Sequence, residues 1–307
     1  MAFRLLNGFT EGCPELVVDL YARTLVIHNY ADPPQAGAPL VDAALKFLTS
    51  RLPWAQAAIL KTRNDPTEAG RRGTVIHGTQ IDRKVRERGV WYALDLTLSR
   101  DASFYLDTRN LRKWAIEHLK DKTVLNTFAY TGSLGVAAMA GDANRVVHTD
   151  LSRSFLNLAK TSYALNGFSI DKKDFVAGDF FPLVSRMKRS GERFDCVFLD
   201  PPFFSVTGRG TVDLAAEGRR LINKVRPLVS DGGWLVAVNN ALYVSGKEFM
   251  AILEELCADG YLQVEELIPV PEDFTGYPGT VVGKPITDPA PFNHSTKIAV
   301  LRVKRKE

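Results

Sequence analysis

The chain has 307 residues, 45% of them hydrophobic and 24% charged, with a formal net charge of +4, which is ordinary globular composition and names no polyanionic partner by itself. No apolar run approaches the ~18 residues of a membrane span, and the opening MAFRLLNGFTEG lacks the apolar core of a signal peptide. Cys13, Cys196 and Cys257 stand far apart, in neither a disulfide framework nor a zinc-ligand spacing, so the expectation is a reducing cytoplasm and no metal.

In chain order, residues 16–21 (LVVDLY) and 24–28 (TLVIH) are apolar, β-branched runs around Ala22-Arg23, which predict a β-hairpin. Residues 31–39 (ADPPQAGAP) read as a loop. A helical period follows over 40–51, with Leu40, Ala43, Ala44, Phe47 and Leu48 on one face. Strands are expected at 56–63 and 90–98. Around and between them Lys61, Arg63, Arg71, Arg72, Arg83, Lys84, Arg86 and Arg88 outnumber four acids, and Arg302, Lys304, Arg305 and Lys306 make a basic tail. Such stretches suit phosphate contacts; a solvated charged face is the other reading. Residues 1–99 thus read as a small α+β domain, with a boundary near Ser99-Arg100.

Beyond it, 100–307 show regular alternation. Strands are predicted at 123–128, 145–150, 174–178, 194–199 and 234–239, and helices near 133–140, 152–165, 180–189, 212–228 and 245–258. Ser133 and Ser152 stand where N-caps belong. This pattern implies a parallel, doubly wound sheet with right-handed crossovers. Strands at 261–268 and 297–303, without a helix between them, suggest an antiparallel pair at one sheet edge.

Ligands of such sheets bind beyond the C-terminal strand ends. The first strand ends in Phe128-Ala129-Tyr130-Thr131-Gly132, with Gly135 following; the glycines let backbone approach a ligand, or serve only a tight strand-to-helix turn. The second ends in Asp150, placed to accept both ribose hydroxyls of a nucleoside or to serve the next helix start. The third ends in Gly178-Asp179-Phe180: an acid for an adenine amine with an aromatic against the ring, or an N-cap and a core aromatic. The fourth ends in Asp200-Pro201-Pro202-Phe203-Phe204. Two prolines fix the backbone there and hold an acid, a carbonyl and an aromatic face beyond the sheet, which suits a planar amine or base.

The series NTFAYTG, HTD, GDFF, DPPFF resembles motifs I to IV of class I methyltransferases. More narrowly it resembles the bacterial 23S ribosomal RNA methyltransferases of the cytosine-C5 and guanine-N7 types. These carry F-x-Y-T-G, matched by Phe128, Tyr130, Thr131 and Gly132, and F-[FY]-L-D-x-R-x-x-R, matched by Phe104-Tyr105-Leu106-Asp107-Thr108-Arg109-Asn110-Leu111-Arg112. Asn7 to Asp19 is similar to the family's central domain, which opens G-E-x-D-G-x-P-G-L-x-V-D. The resemblance covers most of the chain and is thinnest over about residues 30–90.

It implies a Rossmann-like fold and S-adenosylmethionine as cofactor. Asp150 and Leu151 would hold the ribose side, Asp179 and Phe180 the adenine, and Phe128 to Gly132 the methionine end. Phe104, Asp107, Arg109 and Asn110 would close over the cofactor. Asp200, Pro201 and Phe203 would face the acceptor, Asp200 meeting the cofactor as well. Two departures qualify it. The family's N-terminal PUA-type RNA-binding domain is expected to be absent. And where C5 members carry a nucleophilic cysteine after the fifth strand, this chain has Asn239-Asn240, which resembles the guanine-N7 branch. The resulting expectation is direct methylation of a base nitrogen, a guanine of ribosomal RNA, with RNA as partner. A protein or small-molecule methyltransferase, or a silent RNA-binding module, are the alternatives.

Overall fold

The computed structural model describes residues 1–305, which divide into two compact units. The first comprises Met1–Leu106 and Pro271–Lys284; the second comprises Asp107–Val270 and resumes at Pro285. The division therefore falls at Leu106/Asp107, beyond the composition change near residue 100, and the first unit includes a stretch from far along the chain. There the Arg4 N–H donates to the Asp273 carboxylate at 2.9 Å and the Asn7 amide to the Phe274 carbonyl at 2.6 Å. A local sequence pattern has no means of registering such a partner.

The first unit is built on a five-stranded sheet, in the order β1 (Ala2–Leu6), β2 (Leu16–Tyr21), β3 (Thr24–Asn29), β4 (Ala57–Thr62), β5 (Thr74–Gly78). The expected hairpin is β2–β3, with Ala22 in the left-handed region of its turn. Strands β3 and β4 are parallel, and the helix α1 (Ala38–Arg51) lies between them in sequence. Its apolar stripe is Val41, Ala44, Leu45 and Leu48, packed on Leu16, Val18, Leu25 and Ile27. Phe47 is 58% exposed and Leu40 also faces solvent, because a 3.6-residue period fits either of two adjacent stripes and only tertiary packing chooses. A short helix α2 (Glu68–Arg72) and a ribbon β6 (Lys84–Glu87)–β7 (Val90–Ala93) complete the unit. The strand expected to reach 98 stops at Ala93: Asp95 accepts the Thr97 N–H at 3.1 Å, an Asx turn that ends extended pairing. Asp19 is a structural residue. Buried between Arg4 (2.8 Å) and His28 (3.3 Å), its carboxyl is held down at about 2 against the opposing effect of burial.

The second unit alternates as expected: α3 (Arg109–His118), β8 (Thr123–Thr127), α4 (Ser133–Ala140), β9 (Arg145–Asp150), α5 (Arg153–Asn166), β10 (Phe175–Ala177), α6 (Phe180–Arg189), β11 (Phe194–Leu199), β12 (Phe204–Thr207), β13 (Gly210–Asp213), α7 (Leu214–Val225), β14 (Val229–Asn239), α8 (Gly246–Cys257), β15 (Leu262–Leu267) and β16 (Lys297–Val303). Its seven-stranded sheet has the order β10-β9-β8-β11-β14-β16-β15. The first five of these are parallel; β16 runs antiparallel between β14 and β15. Strands buried on both faces are near-continuously apolar, as Val197, Phe198, Leu235 and Val236 show. Strand order reverses between β8 and β11, which places the ligand crevice at their C-terminal ends.

Local chemistry sets the helix starts. Ser152 caps α5, its hydroxyl accepting from the Phe155 N–H. Ser133 does not cap α4; Gly132 holds that position with φ 79°. In place of the helix start expected at 212, a hairpin β12–β13 delays α7 to Leu214, where Asp213 accepts from the N–H groups of Ala215 and Ala216. Among the described residues no helix is long and apolar enough to cross a membrane.

Candidate active site

The strand ends of the second unit converge through backbone chemistry. After β8, Phe128, Tyr130 and Gly132 take φ of 50°, 51° and 79°. Two aromatic residues in the left-handed region are conformationally costly and persist only when neighbours fix them. Here the Asp150 carboxylate does so, one oxygen accepting the Tyr130 N–H and the other the Ser152 N–H, both at 2.8 Å. Tyr130 packs edge-on against Phe155, and Phe128 stacks on Phe180 at 4.5 Å between ring centres. The Gly178 N–H meets the Asp150 carbonyl at 2.9 Å, joining the ends of β9 and β10.

The glycines of this turn have reasons in packing. A Cβ on Gly132 would stand 2.5 Å from that of Ala159, and one on Gly135 would stand 2.3 Å from Cε1 of His148. His148 is a pillar beneath the turn. Wholly buried, stacked on Phe175 and hydrogen-bonded to the Tyr163 hydroxyl at 3.0 Å, it is pushed down to about 3 by burial and stays neutral. In register beside it, Asn126 approaches Nδ1 at 3.4 Å. The sequence signal was present, since Asn126 and His148 are polar residues inside apolar strands.

Asp150 therefore serves the turn and the helix start, and each oxygen keeps acceptor capacity beyond one backbone N–H. Burial raises its carboxyl, and the two N–H bonds counteract this. Beside it Leu151 is 66% exposed, an apolar side chain next to a carboxylate. Asp179 caps α6 through the Phe181 N–H at 3.0 Å, and Phe180 is a core residue against Phe128. Thr131 is buried.

Beyond β11, Pro201 is buried and Phe203 is 44% exposed, its carbonyl taking the Leu214 N–H at 3.0 Å. Asp200 retains some surface yet is enclosed by protein. Burial first, and the Asp107 carboxylate second, push its carboxyl up to about 7. Asp107 itself accepts from the Thr296 hydroxyl at 2.9 Å. The negative charge of Asp107 adds to burial in disfavouring ionisation of Asp200. Asn110 donates to the Pro269 carbonyl at 2.9 Å, Arg109 opens α3, and Arg112 is fully buried with Nη1 on the Thr108 hydroxyl. Phe104 belongs to the first unit, where it packs on Tyr92 and its carbonyl accepts from the Tyr21 hydroxyl.

Asn239 ends β14, its Oδ1 accepting the Ala241 N–H while its Nδ2 has no partner. In sequence Asn239 is followed by Asn240 and Ala241 and not by a cysteine; Cys196 lies inside β11, and burial raises the thiols of both Cys196 and Cys257. The basic stretches are largely engaged. Lys61 is buried, its ammonium on the carbonyls of Arg72 and Ser99. Arg302 pairs with Glu265 and lies over Trp234, and Arg305 binds the carbonyls of Pro227 and Val229; Lys306 lies outside the described residues.

These residues suit a nucleoside-bearing cofactor with a cationic end. A turn of left-handed residues is anchored on Asp150, the exposed Leu151 flanks that carboxylate, and Asp107 acts electrostatically on Asp200 at the end of β11. The profile of a family described as S-adenosylmethionine-dependent methyltransferase matches residues 8–278. The chain is similar to the ribosomal RNA large subunit methyltransferase I of Aeromonas salmonicida (31% identity, 90% of this chain, 71% of that protein) and of Vibrio cholerae (31%, 85% and 65%). It thus spans about two thirds of the length of these relatives. In fold it is similar to a crystal structure of a chain assigned as a methyltransferase and complexed with SAH (TM-score 0.85, 21% identity, 98% of this chain and 75% of that one).

Proposed function

The chain belongs to the S-adenosylmethionine-dependent methyltransferase family, and from that premise we propose that it methylates a base nitrogen of ribosomal RNA, a guanine, by direct displacement. The observation that carries the acceptor assignment is the β11 terminus, where Asp200, its carboxyl raised to about 7 by burial and by Asp107, is followed three residues on by Phe203 with an exposed ring. The ribosomal substrate rests on the names of the relatives. Nitrogen rather than carbon rests on Asn239-Asn240 and on the absence of a thiol there.

When bound, S-adenosylmethionine would supply an already activated sulfonium methyl for in-line transfer to the acceptor nitrogen. The protein contributes positioning and electrostatics. Asp150 accepts from the ribose hydroxyls while keeping the Tyr130 turn in place. Asp107 offers a carboxylate to positive charge. Phe203 gives a base a stacking face, and Asp200 accepts a hydrogen bond from its amino edge. With an affinity for protons near neutrality, an Asp200 oxygen can also receive the proton released when an N–H nitrogen is methylated.

The test is a methyl-transfer assay with tritiated cofactor and ribosomal RNA. Asp200→Ala and Phe203→Ala should each lower turnover, the former by about 10²-fold or more, with S-adenosylhomocysteine affinity nearly unchanged. Full turnover by the Asp200 variant places the acceptor site elsewhere. Label entering protein and no RNA fraction overturns the RNA substrate in favour of a protein methyltransferase.

A further inference from the structure

We propose that a cleft in the first unit binds a phosphodiester and the adjoining base of single-stranded RNA; the inference rests on the RNA reading above and gives it a second contact point. The cleft is shallow and open to solvent, and is lined by His28, Tyr30, Lys61, Arg63, Arg71, Arg100 and Asp101. Strand geometry explains the grouping. β3 and β4 are parallel with His28 opposite Lys61 in register, and alternate residues of a strand share a face. His28 with Tyr30, and Lys61 with Arg63, therefore leave the C-terminal ends of a parallel pair side by side. α2 adds Arg71, and the segment after β7 adds Arg100 and Asp101.

Charge in the cleft is unbalanced toward positive. Arg71 and Arg100 share the single carboxylate of Glu68, at 3.0 and 3.2 Å, which Arg72 also contacts. Arg63 reaches Asp101 only at 3.6 Å, with both side chains more than half exposed. Exposed pairs of this kind are weak and readily exchanged for a better anion. Nε of Arg71 is buried without a partner, a donor that the protein itself leaves unsatisfied. Lys61 Nζ is held on two backbone carbonyls, so it contributes field rather than a free donor. Guanidinium groups match phosphate oxygens in a planar fork.

Beside them Tyr30 is 42% exposed and lies near-parallel to His28, 6.1 Å between ring centres. An aromatic face adjoining a phosphate site is the arrangement that accepts an unpaired base and its backbone together. A free phosphate would use the arginines alone, which makes Tyr30 the discriminating residue. The ribbon β6–β7 is a natural control. Lys84 and Arg86 are also basic, but they lie over the Trp91 ring and are not among the residues lining this cleft.

The experiment follows binding of a fluorescent single-stranded oligoribonucleotide by anisotropy across a salt series, alongside the methylation assay. Arg63→Gln/Arg100→Gln should weaken binding about tenfold or more and make the log K against log salt slope shallower by about 1.4, two contacts at ~0.7 each. Tyr30→Ala should weaken RNA binding without changing the slope, and excess inorganic phosphate should not displace the RNA. Lys84→Gln/Arg86→Gln should leave the dissociation constant within about twofold, and S-adenosylhomocysteine affinity should be the same in every variant. Unchanged affinity and slope in the arginine variant overturn the cleft while RNA methylation by the unaltered protein stands. Cleft-dependent RNA binding by a protein that methylates no RNA supports the cleft and overturns the substrate assignment. An effect of the arginines without one of Tyr30, with displacement by phosphate, reduces the site to a simple anion site and overturns the base contact.

Discussion

Replacing Asp200 by asparagine should make the ligand-free protein more stable in neutral and alkaline solution while abolishing most of its turnover. The carboxyl is pushed from 3.8 up to about 7 by burial first and by Asp107 second. A shift of about three units corresponds to a ceiling of ~4 kcal/mol at 1.36 kcal/mol per unit. Asp200 keeps some surface, so water access brings the expected figure nearer ~2 kcal/mol. The sign follows from proton counts. Between pH 3.8 and about 7 the folded chain retains a proton that the unfolded chain has lost, so the folded state of the natural protein weakens as pH rises through this window. Above 7 the loss is complete. Asparagine carries no charge and escapes it. Urea denaturation of both proteins from pH 4 to 8 should therefore show a gap near zero at the acid end that widens to a plateau above 7. A gap constant across the range refutes the argument. Asp107→Asn should recover the smaller share, because burial outweighs the neighbouring charge.

Asp150→Ala should weaken S-adenosylhomocysteine binding by about 1.5–3 kcal/mol, the range for a charge-assisted hydrogen bond; calorimetry checks this, and no binding heat with the unaltered protein would refute the cradle. Gly135→Ala should destabilise the fold by about 1–3 kcal/mol, because the new methyl meets His148 Cε1 at 2.3 Å and Val146 Cγ1 at 2.8 Å; a change in the denaturation midpoint too small to resolve counts against it. Changing Cys13, Cys196 and Cys257 together to Ala or Ser should leave turnover measurable in protein that remains folded. A covalent adduct with RNA containing 5-fluorocytosine would contradict direct displacement.

Where local pattern and tertiary demand coincide, the sequence is readable. Strands β8, β9, β11 and β16 are apolar runs whose ends carry the polar residues of the cluster, and Asp150 and Asp200 stand at those ends. Where two local solutions are equivalent, it is not. α1 offers two apolar stripes, and only contact with β2 and β3 selects Val41 over Leu40. Phe203-Phe204 reads as an aromatic platform, yet Phe204 also begins a strand whose partner is fixed across the Gly208–Gly210 turn. Lys61 counted as a surface cation because its charge is visible in sequence, whereas the two carbonyls that receive it are not. The placement of 271–284 in the first unit is the extreme instance, a partnership between distant segments that no window of residues contains.

The position of β16 bears on the order in which the molecule can be made. This strand is the last of the sheet to leave the ribosome, yet it is an inner one, bonded to β14 on one side and β15 on the other. Until it arrives, β15 has no neighbour in the sheet and β14 shows an open edge of unpaired N–H and C=O groups, the kind of surface on which chains associate wrongly. The five parallel strands and their helices can assemble during synthesis, but closure of the sheet waits for β16. Vectorial synthesis thus leaves the second unit with a window of exposure that refolding of the released chain does not impose.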